Sequence, residues 1–557
     1  MVRTFLSAIG KEVRGMHEAA YLLAAFALGS QLLALVRDHL LARQFGASHT
    51  LDLYYAAFRV PDFLFATFAS LLSLYALLPV LSRLGQASEA RMVVFLRQIL
   101  FLFFVCMGTI SLVVSFFVPQ IVHLIAPGLE SGELVSLVRI LLLQPIFLGA
   151  SNIIASLTQL RSRFFLYSIS PLLYNLGIIF GIVALYPRMG VTGLGWGVVL
   201  GALMHLCVQL PFFAGEKAGE PLPLPTLMKE FIAVLALSLP RTLALAAGQI
   251  SLLALVALAS YLSAGTITVF MFAYNLQAVP LTIIGVSYSV AAFPTLARLH
   301  AAGDHAEFGR YVDTALRHIF FWSIPATVFI IVLRAQLVRV ILGAGAFDWG
   351  ATRLTAAALA LFILSLAAQS ITLLIARAYY AAGNTKKPLY YGMIDVVVSV
   401  LSSLVLLWLF KTNLVVQYFV ETVLRVSDVP GTLVLMLSLG YAFGSIVEFL
   451  VGYSFFLKDF KLSHLALGTL IFQSFSASVI GGFVTYVVLL LTGTAGEINT
   501  TFGLLLQGAT SGLLGLVVSA LVLVLLKNKE LAEAAAALHH RYRQKFVTPL
   551  EATEVSS

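Results

Sequence analysis

The stretch LLALVRDHLLARQFGAS (residues 32–48) places Arg37, Asp38 and His39 inside an otherwise apolar run. A soluble helix would turn such residues towards water. A membrane-spanning helix has no water-facing side unless the protein encloses a hydrated cavity, and a charge at the bilayer centre costs about 2.5–3.5 kcal/mol on insertion scales. Whether this run lies in a membrane decides the fold, and the rest of the chain answers that question.

The composition of the whole chain is that of a membrane protein. Of the 557 residues, 60% are hydrophobic and 11% are charged, whereas soluble domains carry roughly 25% charged residues. Apolar runs of about 20 residues, the length that crosses a bilayer core as a helix, recur from Tyr21 to Leu526. The alternating segments typical of a transmembrane β-barrel do not occur. The sequence therefore predicts an all-α polytopic membrane protein.

The predicted topology has fourteen spans, with both termini on the cytoplasmic side. In this orientation the predicted cytoplasmic segments contain 23 Lys and Arg residues, and the predicted external segments contain 7. Cytoplasmic loops of membrane proteins carry such an excess of Lys and Arg. The same bias accounts for the formal net charge of +9, so the charge does not indicate nucleic-acid binding.

Two short repeats divide the predicted spans into lobes. PVLSRL (79–84) returns as PTLARL (294–299), and LGWG (194–197) returns as LGYA (439–442). Repeated lobes are a common plan of transporters, which handle the substrate between them. The predicted parts are an N-terminal lobe of spans 1–6 (residues 1–215), a C-terminal lobe of spans 7–12 (216–460), spans 13–14 (461–527) and a basic cytoplasmic tail (528–557).

Two segments lie outside the repeated pattern. The second lobe contains the extra sequence KTNLVVQYFVETVLRVSDVPG (411–431), which is predicted to form an enlarged external loop. The tail after Leu526 has the pattern of a short basic amphipathic helix. Such helices bind anionic lipid surfaces, and the alternative hypothesis is that the tail docks a partner protein.

Ten charged residues lie within the predicted spans or near their ends. They are Arg37, Arg59, Arg139, Arg241, Asp38, Asp52, Asp62, Asp313, Asp395 and Glu448. Because charges are costly at membrane depth, these side chains are expected to face one another or a hydrated cavity.

The charges of the first two spans leave two hypotheses open. Arg37 and Asp38 are neighbours, which point about 100° apart on a helix, so each is expected to find its own partner elsewhere. Arg59 and Asp62 are three residues apart and are spaced to pair across Pro61. Arg37 either locks spans 1 and 2 together in a buried ion pair or binds an anionic substrate in a cavity, because a guanidinium matches phosphate oxygens.

Alternatives also remain for the charges of the second lobe. Arg241, early in the seventh span, either faces the substrate cavity or extends to the cytoplasmic interface. Asp395 and Glu448 either stabilise helix packing or bind a coupling cation.

The sequence offers no enzyme chemistry. It has no Walker A, HExxH or GxSxG motif. Cys106 and Cys207 lie in apolar runs with no metal-ligand spacing, and the histidines are scattered. We therefore expect a transporter rather than an enzyme, with no cofactor and no metal site.

A longer stretch around the opening one carries a family resemblance. VRDHLLARQFGASHTLDLYYAAFRVPDFL (36–64) contains Arg-Asp, then Ala-Arg-x-Phe-Gly-Ala, a downstream Asp, and Ala-Phe-Arg-x-Pro. This pattern resembles the MurJ/MviN family of bacterial lipid II flippases, and FPTLARL (293–299) and ARAYYAAGNTKKP (376–388) extend the resemblance. It implies the fold of the multidrug/oligosaccharidyl-lipid/polysaccharide exporter superfamily, in which two six-helix lobes enclose a cavity.

The resemblance also implies a function and roles for the motif residues. The expected activity is alternating-access flipping of lipid II, an undecaprenyl-pyrophosphate-linked glycan, to the outer leaflet of the bacterial inner membrane. Arg37 would help bind the pyrophosphate and Arg59 would add positive field. Asp38 and Asp52 would pair and gate, with Asp62 as a further ion-pair residue. The last two helices would form a groove for the lipid tail, and the implied partners are the lipid-linked substrate, the bilayer and cell-wall synthesis proteins.

The chain departs from the family at three positions. Family members commonly carry cavity arginines where this chain has Gln31, Phe65 and Asn275. The predicted substrate-binding residues are therefore Arg37, Arg59, Arg241, Asn275 and Gln31. The less basic cavity leaves two alternatives to lipid II flipping: a secondary transporter of another polyprenyl-linked glycan or an amphipathic cation, and a non-transporting membrane scaffold.

Overall fold

A computed structural model describes residues 16–72, 74–129, 131–161, 163–215, 219–460, 467–494 and 500–536. These residues form helices joined by short connections, without strands. The first helices are α1 (Met16–Phe45), α2 (His49–Ala57), α3 (Arg59–Thr67), α4 (Leu74–Ala87), α5 (Glu89–Ile125), α6 (Gly132–Leu141), α7 (Gln144–Leu160), α8 (Phe164–Phe180), α9 (Tyr186–Met189), α10 (Val191–Cys207), α11 (Leu210–Gly215) and α12 (Leu224–Ser260). The remaining helices are α13 (Thr266–Leu281), α14 (Ser287–Ala301), α15 (His305–Leu342), α16 (Trp349–Ile363), α17 (Leu366–Ala381), α18 (Lys386–Thr412), α19 (Leu414–Leu424), α20 (Val434–Asp459), α21 (Gly468–Thr494) and α22 (Thr501–Leu525).

Many of these helices are membrane spans. The described residues include ten helices that are long and apolar enough to cross a bilayer, or twelve if each of two bent helix pairs counts as one span. Two more helices have sufficient length, α1 with 30 residues and α12 with 37. The predicted all-α polytopic fold is confirmed, and the count of fourteen spans stays a prediction.

The second predicted span is interrupted close to its proline. Helix α2 ends at Ala57 and α3 begins at Arg59, so that Pro61 falls in the first turn of the new helix. A proline lacks the backbone N–H and clashes with the carbonyl four residues earlier, but the first turn of a helix tolerates it. The interruption therefore lies at Phe58, before the proline.

The chain packs as two units. The first comprises the chain up to Leu276 together with Ile341–Ala358 and Thr385–Glu448, and the second comprises Gln277–Val340, Leu359–Asn384 and the chain from Phe449 onward. The lobe boundaries at residues 215 and 460 were inferred from repeats, and they stay a prediction.

Close backbone contact joins α8 and the residue that follows it to α10 in the first unit. A Cβ added at Gly177 would lie 2.3 Å from the Cα of Gly201, and one added at Gly181 would lie 2.5 Å from the Cα of Gly197. Small residues at four-residue spacing let membrane helices approach so closely that backbone atoms touch. These glycines bring α8, which carries a residue of the site described below, against the helices of its unit.

The first part of the tail packs on the second unit. Residues 529–536 are helical, and Leu531 contacts the hydrophobic cluster that includes Phe321 and Leu523. Glu530 lies 3.5 Å from Arg317 and Glu533 lies 3.4 Å from His318. Neither predicted alternative, lipid binding or partner docking, anticipated this docking onto the protein's own helices. Residues 537–557 lie outside the described part of the chain.

Candidate substrate site

Arg37 and Asp38 form an ion pair with each other on α1. The Arg37 Nη2 atom lies 2.8 Å from Asp38 Oδ1, and Nε donates a hydrogen bond of 2.9 Å to the same oxygen. The expectation that each residue needs a separate partner is wrong in this respect. The reason is the length of the arginine side chain, which lets the guanidinium fold back along the helix surface to its neighbour.

Each member of this pair also binds an asparagine from another helix. Arg37 Nη1 donates to Asn175 Oδ1 on α8 at 3.3 Å, and Asn275 Nδ2 on α13 donates to Asp38 Oδ2 at 3.2 Å. Asp38 is 4% exposed, so its charge depends on these partners. Asn175 was missed from sequence, where its only signal is that of an amide within an apolar span.

Arg59 and Asp62 form the second ion pair of the first unit. The Arg59 Nη2 atom lies 3.3 Å from Asp62 Oδ2, which confirms the expected pairing. Arg59 Nε also donates to the Tyr55 carbonyl at 3.3 Å. The arginine side chain is 6% exposed and the aspartate side chain 29%, so this pair keeps one accessible edge on its carboxylate.

A buried tyrosine lies near both ion pairs. Tyr55 lies within electrostatic range of Arg37, Asp38 and Arg59, and its hydroxyl has no hydrogen-bond partner among the described residues. Two guanidinium groups, each paired with a carboxylate, and a buried hydroxyl without a partner among the described residues thus lie in one region of the first unit. Such an arrangement suits a ligand with several anionic oxygens.

The other predicted binding residues lie differently. Gln31 is half-buried on α1. Phe65 packs against the hydrophobic core of the first unit, so this position provides apolar contact. Arg241 lies on α12, and its side chain is outside the described part of the structure. The convergence of Arg241 with Arg37 and Arg59 therefore stays a prediction.

Asp52 caps the N-terminus of a distant helix. Its carboxylate accepts hydrogen bonds from Gly265 N at 2.6 Å, Thr268 N at 2.7 Å and Thr268 Oγ1 at 2.7 Å. A carboxylate at this position satisfies N–H groups that have no partner within α13 and interacts favourably with the helix dipole. Among the described residues Asp52 therefore belongs to a separate cluster from Asp38, and the pairing of these two acids is not observed.

The backbone around this cap is tightly packed. Gly265 has a φ of +87°, and a Cβ there would lie 2.6 Å from the Ala47 carbonyl oxygen. The Ala346 N–H donates to the Arg43 carbonyl at 2.9 Å. The connections after α1, before α13 and before α16 are thereby joined at the end of the unit that the topology predicts to be external.

Asp395 and Glu448 form an acidic pair on α18 and α20. Asp395 is 8% exposed and accepts a hydrogen bond from Ser399 at 3.1 Å. The two carboxylates interact electrostatically. Two like charges inside the membrane repel each other unless a proton or a cation offsets one of them.

A tyrosine pair lies between the acidic pair and the Arg59–Asp62 pair. Tyr274 and Tyr441 hydrogen-bond to each other, with ring centroids 5.8 Å apart. Tyr274 lies within electrostatic range of Arg59, Asp62 and Asp395. Polar groups thus continue from the basic cluster to the acidic one within the first unit.

Ion pairs buried within helical spans are typical of polytopic membrane transporters. The sequence profile of the family described as "Lipid II flippase MurJ" matches residues 41–416. This chain belongs to that family, and the resemblance seen in the sequence is confirmed. The matched range includes Asp52, Arg59, Asp62 and Asp395, and it begins just after Arg37 and Asp38.

Individual relatives agree with the profile. The lipid II flippase MurJ of Burkholderia cenocepacia is 26% identical over 408 residues, which cover 70% of this chain and 78% of that protein. The probable lipid II flippase MurJ of Buchnera aphidicola is 28% identical over 393 residues, covering 69% and 76%. That of Thermotoga maritima is 27% identical over 379 residues, covering 66% and 75%.

Solved structures show the same fold. A lipid II flippase MurJ in an inward closed conformation superposes with a TM-score of 0.69 at 22% identity, covering 91% of this chain and all of that one. An inward-facing multidrug resistance MATE family transporter of the MOP superfamily gives a TM-score of 0.63 at 15% identity, covering 78% and 94%. The two matches assign the fold to this group of transporters.

Proposed function

We propose that this protein flips lipid II from the inner to the outer leaflet of the bacterial inner membrane by alternating access. The observation that carries the proposal is the family match, because the relatives that the chain resembles over most of its length are lipid II flippases. The buried arginines of the first unit supply a chemical reason, since a pyrophosphate needs cationic partners in a membrane. Transport of another polyprenyl-linked glycan or an amphipathic cation, and a scaffold role, are not favoured by these relatives.

In this proposal Arg37 and Arg59 bind the pyrophosphate. Each guanidinium already holds a carboxylate at 2.8–3.3 Å, so an arriving phosphate competes with Asp38 and Asp62 for the same N–H groups. Asn275, Gln31 and Arg241 complete the proposed contacts to the head group. A site built in this way releases its ligand readily, because the carboxylates recapture the arginines.

Gating is assigned to Asp38 and Asp52. Asp52 holds α13 through three hydrogen bonds, and opening at the predicted external end requires these bonds to break. Asp38 responds to the substrate, because a phosphate bound to Arg37 weakens the Arg37–Asp38 ion pair. Asp38 then keeps the hydrogen bond that Asn275 donates to it. The two acids therefore act at successive points of the same cycle.

Energy coupling is assigned to Asp395 and Glu448. A cation or a proton bound between them would offset their repulsion, and the Tyr274–Tyr441 pair would transmit the change towards Arg59. The remaining proposals follow the family: both termini are cytoplasmic, spans 13–14 hold the lipid tail, and cell-wall synthesis proteins are partners.

A reconstituted flipping assay tests the proposed function. Fluorescent lipid II is placed in liposomes, and the fraction exposed to a membrane-impermeant quencher is followed over time. We expect exposure to rise with the wild-type protein and to stay at the protein-free rate with the Arg37→Ala variant. The Arg139→Ala variant is the matched control, because Arg139 is exposed and donates to the Ser115 carbonyl. Folded wild-type protein that moves a fluorescent amphipathic cation but not lipid II would contradict the proposal.

A further inference from the structure

Helix α19, in the extra segment 411–431, exposes a set of large apolar side chains. Its apolar residues point outward: Leu414, Val415, Tyr418, Phe419 and Val423 are 79%, 76%, 69%, 65% and 58% exposed. They recur at intervals of three and four residues, which places them on one face of the helix. A helix on a protein surrounded by water would turn such residues inward.

The inward side of α19 carries two polar residues, Gln417 and Glu421, among the half-buried Val416, Val420 and Leu424. Gln417 Nε2 donates to Glu421 Oε1 at 3.1 Å, and Thr432 Oγ1 donates to the same oxygen at 2.7 Å. Asn413 caps the helix by accepting hydrogen bonds from Val415 N and Val416 N. Rolling the helix to hide its exposed apolar residues would break the hydrogen bond that Thr432 donates to Glu421, so this bond holds the helix in its observed orientation.

The exposed apolar area of this face is large enough to indicate that another molecule covers it. Tyr418 and Phe419, at 69% and 65% exposure, leave on the order of 250 Å² of ring surface uncovered, since an aromatic side chain presents roughly 150–250 Å². The three aliphatic side chains add to it. Contiguous apolar patches of this size mark protein or membrane contacts.

The position of α19 indicates that lipid covers this face. Helix α18 is a membrane span of 27 residues, roughly 40 Å long at 1.5 Å per residue. That exceeds the hydrocarbon thickness of about 30 Å, so its end at Thr412 lies at the membrane surface. Its outward residues Leu401, Val405 and Trp408 are 56%, 59% and 65% exposed and face the bilayer. The apolar face of α19 begins two residues after this span ends, and it continues the lipid-facing surface.

We propose that α19 is an interfacial helix that lies in the lipid head-group region at the end of α18. Tyr418 and Trp408 are residues that favour the membrane–water boundary, and Lys411 and Arg425 flank the helix as basic residues suited to lipid phosphates. The connection that follows the helix contains Val429, Pro430 and Gly431, which line a cavity of about 180 Å³ together with Gly265 and Asp348. Lipid binding therefore anchors the connection that borders the Asp52 cap. Most of α19 lies beyond residue 416, where the family match ends.

Spin-label accessibility in nanodiscs tests this proposal with the full-length protein. Cys106 and Cys207 are replaced by serine, and a nitroxide is attached to Phe419→Cys or, as the control, to Ser427→Cys in the following exposed connection. In nanodiscs of phosphatidylethanolamine and phosphatidylglycerol, the label at 419 is expected to collide more with oxygen than with a water-soluble nickel complex, at a depth of about 5–10 Å. The label at 427 is expected to show the reverse preference.

Two outcomes would overturn the proposal. A label at 419 that meets the nickel complex as often as the label at 427 would show that the face is in water. A label at 419 shielded from both reagents would show that protein covers it, either a second copy or another partner. A label at Val415→Cys gives an independent reading: combining Tyr418→Ser with Phe419→Ser should move it towards water, whereas Thr422→Ser should leave it in place. Retention of the wild-type elution volume excludes misfolding as the cause.

Discussion

Asp52 is proposed to act as a latch, since its three hydrogen bonds to α13 must break when the predicted external end opens. The Asp52→Asn variant tests this proposal directly. The asparagine Oδ1 can still accept from Thr268, but its amide group replaces the oxygen that accepts from Gly265 N at 2.6 Å. Two donors then face each other in a site that is 2% exposed. Losing one hydrogen bond to a charged group and leaving an N–H unpaired costs about 2–3 kcal/mol.

That cost predicts a measurable rise in the fraction of molecules that are open at the predicted external end. At 1.4 kcal/mol per tenfold change, opening at the predicted external end should become about 30- to 140-fold more frequent. The probe is Val269→Cys, in a chain without the two native cysteines, because Val269 is 1% exposed and adjoins Thr268. Its rate of labelling by a membrane-impermeant maleimide in whole cells should rise by that factor.

The matched control for this prediction is another capping aspartate of the same unit. Asp348 accepts from Ala351 N at 2.7 Å within its own helix turn, so Asp348→Asn should leave the labelling of Val269→Cys nearly unchanged. Labelling that stays at the wild-type rate in Asp52→Asn, or rises equally in both variants, would refute the assignment of Asp52 as a latch.

Three further predictions follow from the same contacts. Gly181→Ala should lower the melting temperature in detergent, because its Cβ would lie 2.5 Å from a backbone atom. Gly108→Ala should leave the melting temperature unchanged, because nothing lies within 4 Å of its Cβ. Equal effects of the two variants would exclude close helix packing as the cause. Arg37→Lys should reduce lipid II flipping at least about tenfold through loss of the forked hydrogen bonds, with Arg139→Lys as an unaffected control. Glu448→Gln should abolish the dependence of flipping on sodium or pH; a retained dependence would place coupling elsewhere.

The fold class was predictable because the membrane imposes it through composition. Every backbone polar group in lipid must be satisfied within the span, so long apolar runs leave the helix as their structure. Arg59 and Asp62 were predictable for a similar reason, since a spacing of three residues brings side chains together within one helix. The helical fold class and the Arg59–Asp62 pair therefore both follow from short stretches of sequence, without knowledge of tertiary packing.

The partners of Arg37 and Asp38 depend on tertiary packing and could not be predicted in this way. Asn175 is 138 residues from Arg37, and Asn275 is 237 residues from Asp38. The direct pair between the neighbours could not be predicted from the directions of their Cβ atoms, because the long side chain of Arg37 lets its guanidinium reach Asp38. Asp52 was recognised as a motif residue, but only packing shows that it caps a helix more than 200 residues away.

The neutral residue at position 275 changes how the basic site works. An arginine there would compete with Arg37 for Asp38, whereas the amide of Asn275 donates to Asp38 at 3.2 Å and adds no charge. When Arg37, Asp38, Arg59 and Asp62 are all ionised, the two ion pairs together carry no net charge. The site therefore attracts a pyrophosphate by exchanging carboxylate for phosphate on each guanidinium, and not by a standing excess of positive charge. Under this arrangement Asn275 is the residue that stabilises Asp38 at the moment when Arg37 turns to the substrate.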